Sequence, residues 1–421
     1  MKIFKFGGAS IADAGRMTAL LPIVAGEQGP LVIVMSALGK TTNALERVLK
    51  ASVAGDKPEA MKLAAELVMQ HINYAASLLN ADFYEQAHDG MKPLVAELTQ
   101  AVEAIDAKAY DRSYDRVVSM GELLSTTMFY YLLLQHGYDV EWVDARKVVR
   151  TDNTWRDAVV DWDYTKLEAE AIIGRKLNKG KIIITQGFIG STEAGEPVTL
   201  GREGSDYTAA ILGAMLNAAS VTIWKDVDGF RNADPKQFPD TVKIDAISYA
   251  EVIEMAFYGA QIIHPKTIKP LHNFDIPLYV KCFLNKDLSG SVIKGKVKEA
   301  HYPPLLVRKD DQVLIQVTTR DFSFITEDNL SKIYATFHDL KVKINLIQNA
   351  AISFVACIDN RADKVSSLIK ELKKDYRVSR NENVSILTVR HYTPEIFFGL
   401  TKGREVLMKQ ETRKTLQAVI K

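Results

Sequence analysis

Lys5, Gly7, Gly8 and Ser10 stand together in the first ten residues, Met1-Lys-Ile-Phe-Lys-Phe-Gly-Gly-Ala-Ser10. Residues 3–6 read as a short buried strand, the two glycines stop it, and helical spacing begins at Asp13. A strand, a glycine turn and a helix bring backbone N–H groups and a helix N-terminus onto one anion. Gly7 and Gly8 carry no side chain, so a phosphate can approach the main chain there. Lys5 adds a cation at the strand's end. Such a turn is structural about as often as functional. It gains meaning only if other stretches supply the rest of a phosphoryl-transfer site.

Four stretches are candidates to do so. In Gly201-Arg-Glu-Gly-Ser-Asp206, glycines again precede a helix. Arg202 can fork onto a carboxylate or phosphate, and Asp206 is placed to cap the helix, a structural role at about even odds. In Val117-Val-Ser-Met-Gly-Glu122, the acid lies among apolar neighbours. It is either on an exposed face or buried with a partner, and periodicity favours exposure. Lys225-Asp-Val-Asp-Gly229 is a charged turn after an apolar run. His264, between an apolar run and Pro265, reads as a satisfied core histidine rather than a ligand or base. Gly39-Lys40-Thr41 suggests a P-loop, but that spacing requires glycine where Val34 stands, so the reading fails. Ser36 and Thr42 are left at a strand's C-terminal end, where open α/β sheets bind ligands.

The elements that must position these residues can be read from hydrophobic period. Continuous apolar runs at 31–35, 181–185 and 221–224 are those of strands buried on both faces. Residues 139–144, 277–281 and 291–293 supply further strands, and 188–200 reads as a hairpin. Helices are expected over 13–25, 164–178, 207–216 and 249–258, and over most of 42–134, where the apolar stripes are plain packing. Strands alternating with helices give an α/β three-layer sandwich with a mostly parallel sheet. Between 285 and 311 the composition turns to lysine, glycine and Pro303-Pro304, which marks a domain boundary. Beyond it the order is βαββαβ: strand 312–319, helix 327–340, strands 342–347 and 352–358, helix 362–374, strand 384–390. That order fits a ferredoxin-like α+β unit with a four-stranded antiparallel sheet. The last thirty residues hold a helical stretch and a strand-like run at 416–420.

Composition narrows the function. The chain has 421 residues, 47% hydrophobic and 25% charged, with a net charge of +1. That balance suits a globular protein and gives no reason to expect nucleic acid or an anionic membrane as partner. Cys282 and Cys357 form neither a metal-spaced pair nor a disulfide framework, so a reducing compartment is expected, and no metal-ligand set is expected. No signal peptide is expected at the N-terminus, and no apolar stretch is expected to span a bilayer. The expected location is the cytoplasm.

The strings K-F-G-G-A-S, S-A-L-G-K-T-T-N, S-M-G-E-L-L-S, G-R-E-G-S-D-Y-T-A, K-D-V-D-G and G-A-Q-I-I-H-P occur in the order found in aspartate kinases. The chain resembles that family, with an amino-acid kinase (carbamate kinase-like) domain over 1–295, a linker over 296–310 and an ACT-type domain over 311–390. Residues 391–421 resemble a truncated second ACT repeat. The resemblance implies ATP-dependent phosphorylation of L-aspartate to 4-phospho-L-aspartate, the first step toward lysine, threonine and methionine. It implies Lys5 and Asp206 as catalytic residues, the acid orienting the lysine. Ser36, Thr42, Glu122, Arg202 and Ser205 would bind aspartate. Lys5, Gly7, Gly8, Ser10, Lys225, Asp226, Arg231, Lys236 and Gln261 would bind the nucleotide. A carboxylate nucleophile is ionised at neutral pH, so no strong base is required. ATP would arrive with Mg²⁺ held by phosphate oxygens and water. A homodimer or higher homo-oligomer is expected, joined at least partly through residues 305–421, because a lone ACT-type domain exposes a sheet edge that needs cover.

Four positions depart from the family pattern: Ala9 for threonine, Glu203 for glycine or asparagine, Arg231 for tyrosine and Gln261 for lysine. Glu203 adds an anion beside Arg202, and Gln261 removes a cation. The second reading is therefore a sensing homologue with weak or no turnover. The usual Pro-Gly is also missing near Asp321-Phe322-Ser323.

Overall fold

A computed structural model describes residues 1–260, 263–295, 297 and 302–421. Gln261 lies outside the described residues. The chain forms two compact units. The first comprises Met1–Phe230, Lys243–Ile253 and Ile262–Lys298; the second comprises Arg231–Val242, Glu254–Gln261 and Glu299–Lys421.

The first unit is built on an eight-stranded sheet. Its strands include β1 (Lys2–Phe6), β2 (Leu31–Met35), β3 (Val140–Val143), β4 (Ile182–Gln186) and, after the small hairpin β5 (Ile189–Ser191) and β6 (Pro197–Thr199), β7 (Ser220–Lys225). The order across the sheet is Ala246–Ser248, Ser291–Lys294, Leu278–Cys282, β7, β1, β2, β4, β3. Every pairing is parallel except that of Ser291–Lys294 with Leu278–Cys282. The runs 31–35 and 221–224 are buried throughout, as expected of strands covered on both faces, whereas in 181–185 the first two residues, Lys181 and Ile182, are half-buried. Phe6 pairs in register with Met35 on one side and Trp224 on the other. The three central strands therefore end together, and Lys5, Ser36 and Lys225 emerge at one C-terminal edge.

Helices Thr41–Val53, Met120–Gln135 and Gly204–Met215 start from that edge. Two helices differ from expectation. The one over 13–25 is broken into Ala14–Thr18 and Leu21–Ala25, because Pro22 cannot donate to the preceding turn and starts a new helix. The one over 164–178 contains a π-type turn at Ala169–Gly174. A third correction concerns apolarity. The helical run Ala107–Gln135 is long and apolar enough to cross a bilayer, against the expectation that no stretch is. Its apolar window is 83% buried inside the protein, which accounts for its composition.

The second unit carries a six-stranded sheet, antiparallel throughout. Its order is Ile344–Asn349, Ser353–Asp359, Leu305–Thr318, Arg377–Arg390, Thr415–Ile420, Val406–Glu411. The first four, with helices Glu327–Asp339 and Ala362–Leu372, realise the βαββαβ order of an ACT-type fold. The two long strands have 14 residues each and start earlier than expected. Residues 305–310 thus belong to a strand and not to a linker. Charged, solvent-facing residues at 308–311 and 377–383 masked the strand period there. The last thirty residues add helix Pro394–Thr401 and two strands, so the sheet has six strands and not four.

Candidate active site

At the C-terminal edge of the central strands lies a cavity of about 560 Å³. Lys5, Gly8, Ser36, Thr42, Glu122, Arg202, Ser205, Asp206 and Lys225 line it, and so bring together most of the residues expected from sequence.

Lys5 and Asp206 are both buried, and Lys5 Nζ lies 2.6 Å from Asp206 Oδ1. Lys225 Nζ stands 4.0 Å from Asp206 Oδ2. Asp206 sits in the first turn of helix Gly204–Met215 and does not cap it; the residue at the N-cap is Glu203. The helix-cap reading of Asp206 is therefore not met, and the acid pairs with Lys5. Desolvating two charges costs several kcal/mol per ion, roughly, which makes such a pair weak evidence for stability and better evidence for orientation. The glycine turn after β1 packs tightly. A Cβ on Gly8 would lie 2.8 Å from Ala37 O, so only glycine lets the turn approach the end of β2. Gly7 adjoins the Lys5 ammonium, at 3.3 Å for an added Cβ. Ser10 is buried, and its Oγ donates to Trp224 O at 3.4 Å, which fastens the turn to β7.

Glu122 is 2% exposed, against the exposed reading. The reason is that helix Met120–Gln135 is buried over its first ten residues and offers no polar face there. One carboxylate oxygen, Oε1, accepts from Ala37 N at 3.2 Å. The other, Oε2, is buried with no hydrogen-bond partner among the described residues. Burial pushes the carboxyl up to about 8, against the pull of the Ala37 N–H and the Lys5 charge. An orphaned buried carboxylate oxygen is costly unless a cation or donor completes it.

Ser36 Oγ donates to Ser205 Oγ at 2.9 Å, which joins the end of β2 to the start of helix Gly204–Met215. Arg202 is exposed and makes no ion pair among the described residues. Its loop is fixed on both flanks. Gly201 has φ +77°, and a Cβ there would lie 2.5 Å from Asp157 Oδ1. Glu203 has φ +54°, a left-handed conformation that costs an L residue roughly 1 kcal/mol. The Glu203 carboxylate accepts from His264 N at 2.8 Å. His264 is therefore not a core histidine. Its Nδ1 accepts from Lys266 N at 3.2 Å and caps helix Pro265–Asn273.

Sequence reasoning missed a second layer. Asp115 is fully buried and accepts from Arg156 N and Thr199 N, both at 2.9 Å, and from Thr199 Oγ1 at 2.6 Å. Burial pushes its carboxyl up to about 6 despite those three bonds. Through them it ties β6 to the loop carrying Arg156. That arginine has φ 67° and holds its guanidinium 4.3 Å above the Tyr114 ring. Tyr114, Arg156, Phe188 and Thr199 also line the cavity. One signal was available: an acid between Tyr114 and Val117 on the inner side of an amphipathic helix.

Of the expected nucleotide-binding residues that the structure describes, Gly7, Ser10, Asp226, Arg231 and Lys236 are not among those lining this cavity. Asp226 is exposed just beyond β7. Arg231 and Lys236 belong to the second unit, where Arg231 Nη1 donates to Thr241 O at 3.0 Å. Gln261 lies outside the described residues. Among the described residues no group of three His, Cys, Asp or Glu side chains could hold a metal ion.

Residues 1–282 match the amino acid kinase family. The lysine-sensitive aspartokinase 3 of Escherichia coli is 30% identical over 397 residues, which cover 92% of this chain and 86% of that protein. The bifunctional aspartokinase/homoserine dehydrogenase 2 of Arabidopsis thaliana is 32% identical, but this chain spans only 35% of its length. Two solved structures of E. coli aspartokinase III superpose over the whole chain at 27% identity. The complex with lysine and aspartate has a TM-score of 0.83 with 95% of that chain covered; the complex with aspartate and ADP has 0.81 with 96% covered.

Proposed function

The chain belongs to the amino acid kinase family and, within it, to the aspartokinases, and on that premise we propose the following division of labour in its cavity. The protein transfers the γ-phosphoryl group of ATP to the side-chain carboxylate of L-aspartate, giving 4-phospho-L-aspartate and ADP. The observation that carries this reading is Glu122. Among the described residues its buried Oε2 has no hydrogen-bond partner and Arg202 makes no ion pair, in a cavity that also holds the buried Lys5. An amino acid offers an ammonium for the first, a carboxylate for the second and an acceptor oxygen for phosphoryl transfer beside the third.

The chemistry follows from those positions. Arg202 grips a substrate carboxylate in a fork, with Ser36, Thr42 and Ser205 as further polar partners. Glu122 receives the ammonium. The side-chain carboxylate, already ionised, attacks the γ-phosphorus; the bond from that phosphorus to the β,γ-bridging oxygen breaks, and its electrons leave with ADP. Charge spreads over the equatorial oxygens in that transition state, and the Lys5 ammonium, oriented by Asp206, stabilises it. Lys225 adds a second cation. Gly7, Gly8 and Ser10 shape the phosphate turn, and Asp226, Arg231, Lys236 and Gln261 remain proposals for the remainder of the nucleotide. Mg²⁺ neutralises phosphate charge when it arrives with ATP. The residues present suit a cation carried by phosphate oxygens and water, since among the described residues no group of three His, Cys, Asp or Glu side chains forms a cage for it.

Glu203 weighs less against turnover than its charge suggests, because its carboxylate is engaged by His264 N. The kinase reading therefore stands over that of an inactive sensor. We place the protein in the cytoplasm and keep the ACT-type region as an assembly element. Strands Ile344–Asn349 and Val406–Glu411 are the two sheet edges, and such edges need cover. A second copy supplies it in a homodimer, and sedimentation velocity over a concentration series tests this; a monomer at all concentrations would reject it. The Pro-Gly usual in an ACT-type domain is missing near Asp321-Phe322-Ser323, so inhibition by lysine or threonine is expected to be weak. Trapping the acyl phosphate with hydroxylamine, across L-aspartate, L-glutamate, N-acetyl-L-glutamate and UMP, tests the reaction itself.

A further inference from the structure

We infer that Glu203 is a positioning residue that straps the arginine loop to the start of helix Pro265–Asn273. The inference rests on the aspartate-kinase reading for its kinetic part only. Glu203 occupies a left-handed backbone position that favours glycine or asparagine, at φ +54°. A long acidic side chain persists there at a conformational cost, and the structure contains the interaction that offsets it. The carboxylate reaches across 61 residues of sequence to accept the backbone N–H of His264 at 2.8 Å.

Two helices begin at this point. Glu203 is the N-cap residue of Gly204–Met215, and His264 is the N-cap residue of Pro265–Asn273. Both helix N-termini favour a negative charge, so the carboxylate has a place to go other than the guanidinium of its neighbour. That explains why an acid adjoining Arg202 leaves the arginine without an ion pair. A parallel link reinforces the strap, since Lys266 Nζ bonds the Asp157 carboxylate, and Asp157 in turn abuts Gly201. Arg202 is thus held between two points fixed to the same helix start. The strap keeps its guanidinium aimed into the cavity before substrate arrives, and a pre-aimed fork loses less freedom on binding.

Three variants and two readouts test this. Glu203→Gln keeps an acceptor oxygen, Glu203→Ala removes it, and Glu203→Gly removes it while relieving the left-handed strain. The first readout is amide hydrogen exchange of the peptide containing His264, which needs no turnover. Exchange at that amide is expected to quicken at least tenfold in the alanine and glycine variants and to stay within threefold of wild type in the glutamine variant. The second readout is steady-state kinetics. The alanine and glycine variants are expected to raise the KM for aspartate about tenfold with kcat within threefold, and the glutamine variant to rescue most of that loss. The glycine variant should melt no lower than the alanine variant, which separates the strap from a folding defect. Unchanged His264 exchange in the alanine variant overturns the strap. Quickened exchange with an unchanged aspartate KM overturns its positioning role. A glutamine variant as impaired as alanine overturns the hydrogen bond as its basis. A wild-type protein that phosphorylates no aspartate defeats the functional reading alone, and the exchange result still decides the strap.

Discussion

Each unit of the protein contains a lysine–carboxylate pair at 2.6 Å, and the two pairs sit in opposite circumstances. In the C-terminal unit Lys309 Nζ meets Asp359 Oδ1, and the pair is closed by neighbours. Lys309 donates to Asn345 Oδ1 at 3.0 Å, Asn345 Nδ2 donates to Asp359 Oδ1 at 2.8 Å and to Gln312 Oε1 at 2.7 Å, and Gln312 Nε2 donates to Asp359 Oδ1 at 3.1 Å. Burial raises the Asp359 pKa, but those bonds outweigh it and hold the carboxyl below its usual range. In the N-terminal unit Lys5 meets Asp206, but the surrounding groups are left incomplete. Glu122 Oε2 has no partner, and Arg202 has no ion pair among the described residues. A satisfied polar network rigidifies the fold. An unsatisfied one facing a cavity stores the capacity to bind, and this difference separates the structural cluster from the functional one.

The largest effect should come from the open cluster. Lys5→Ala should lower kcat and kcat/KM together by on the order of 10²-fold or more, as expected of a group that stabilises transition-state charge. A change confined to KM would reduce Lys5 to a ground-state nucleotide contact. Glu122→Gln should raise the KM for aspartate about tenfold or more, roughly the worth of one charge-assisted contact. The KM for ATP should stay within about threefold. Equal effects on both substrates would return Glu122 to a packing role.

Glu122 also sets a pH dependence. Its carboxyl is raised from 4.5 to about 8 in the substrate-free protein. The raised pKa means that the folded state holds a proton the unfolded state releases. The associated stability is full below about 4.5, declines as pH rises, and is gone above about 8. Glu122→Gln should flatten that part of the stability profile, measured by chemical denaturation from pH 5 to 9. Aspartate binding needs the ionised form, so its affinity should rise toward pH 8 with release of a proton. Calorimetry in buffers of different ionisation enthalpy detects that proton; none released at pH 7 would contradict the assignment.

The smallest effect should come from the closed cluster. Asp359→Ala removes one acceptor from a network that is partly open to solvent, so it should cost about 1 kcal/mol of stability. The KM for aspartate should not move. A shift in aspartate KM as large as that of Glu122→Gln would erase the distinction between the two clusters.

How much of this was legible in the sequence follows the same division. β2 and β4 were readable because burial on both faces leaves an unbroken apolar run, and the glycine turn at 7–8 was readable because close approach admits no side chain. Glu122 misled, because a helix buried on every side has no polar face against which to judge one acid. Leu305–Thr318 began earlier than expected, because the consecutive charges Arg308-Lys-Asp-Asp311 interrupt its period and resemble a linker. Asp115 and the Glu203–His264 bond were out of reach, since each depends on segments that only the fold brings together. The motif order implied roles for Lys5, Arg202 and Asp206, whereas periodicity gave only their neighbourhood.

The most direct measurement is hydroxylamine trapping with the full-length protein, ATP, Mg²⁺ and L-aspartate. The expected result is an aspartyl hydroxamate formed with one ADP per product. It should be lost in Lys5→Ala and recovered at raised aspartate concentration in Glu122→Gln. Folded wild-type protein that gives no hydroxamate above the enzyme-free control would contradict the central claim.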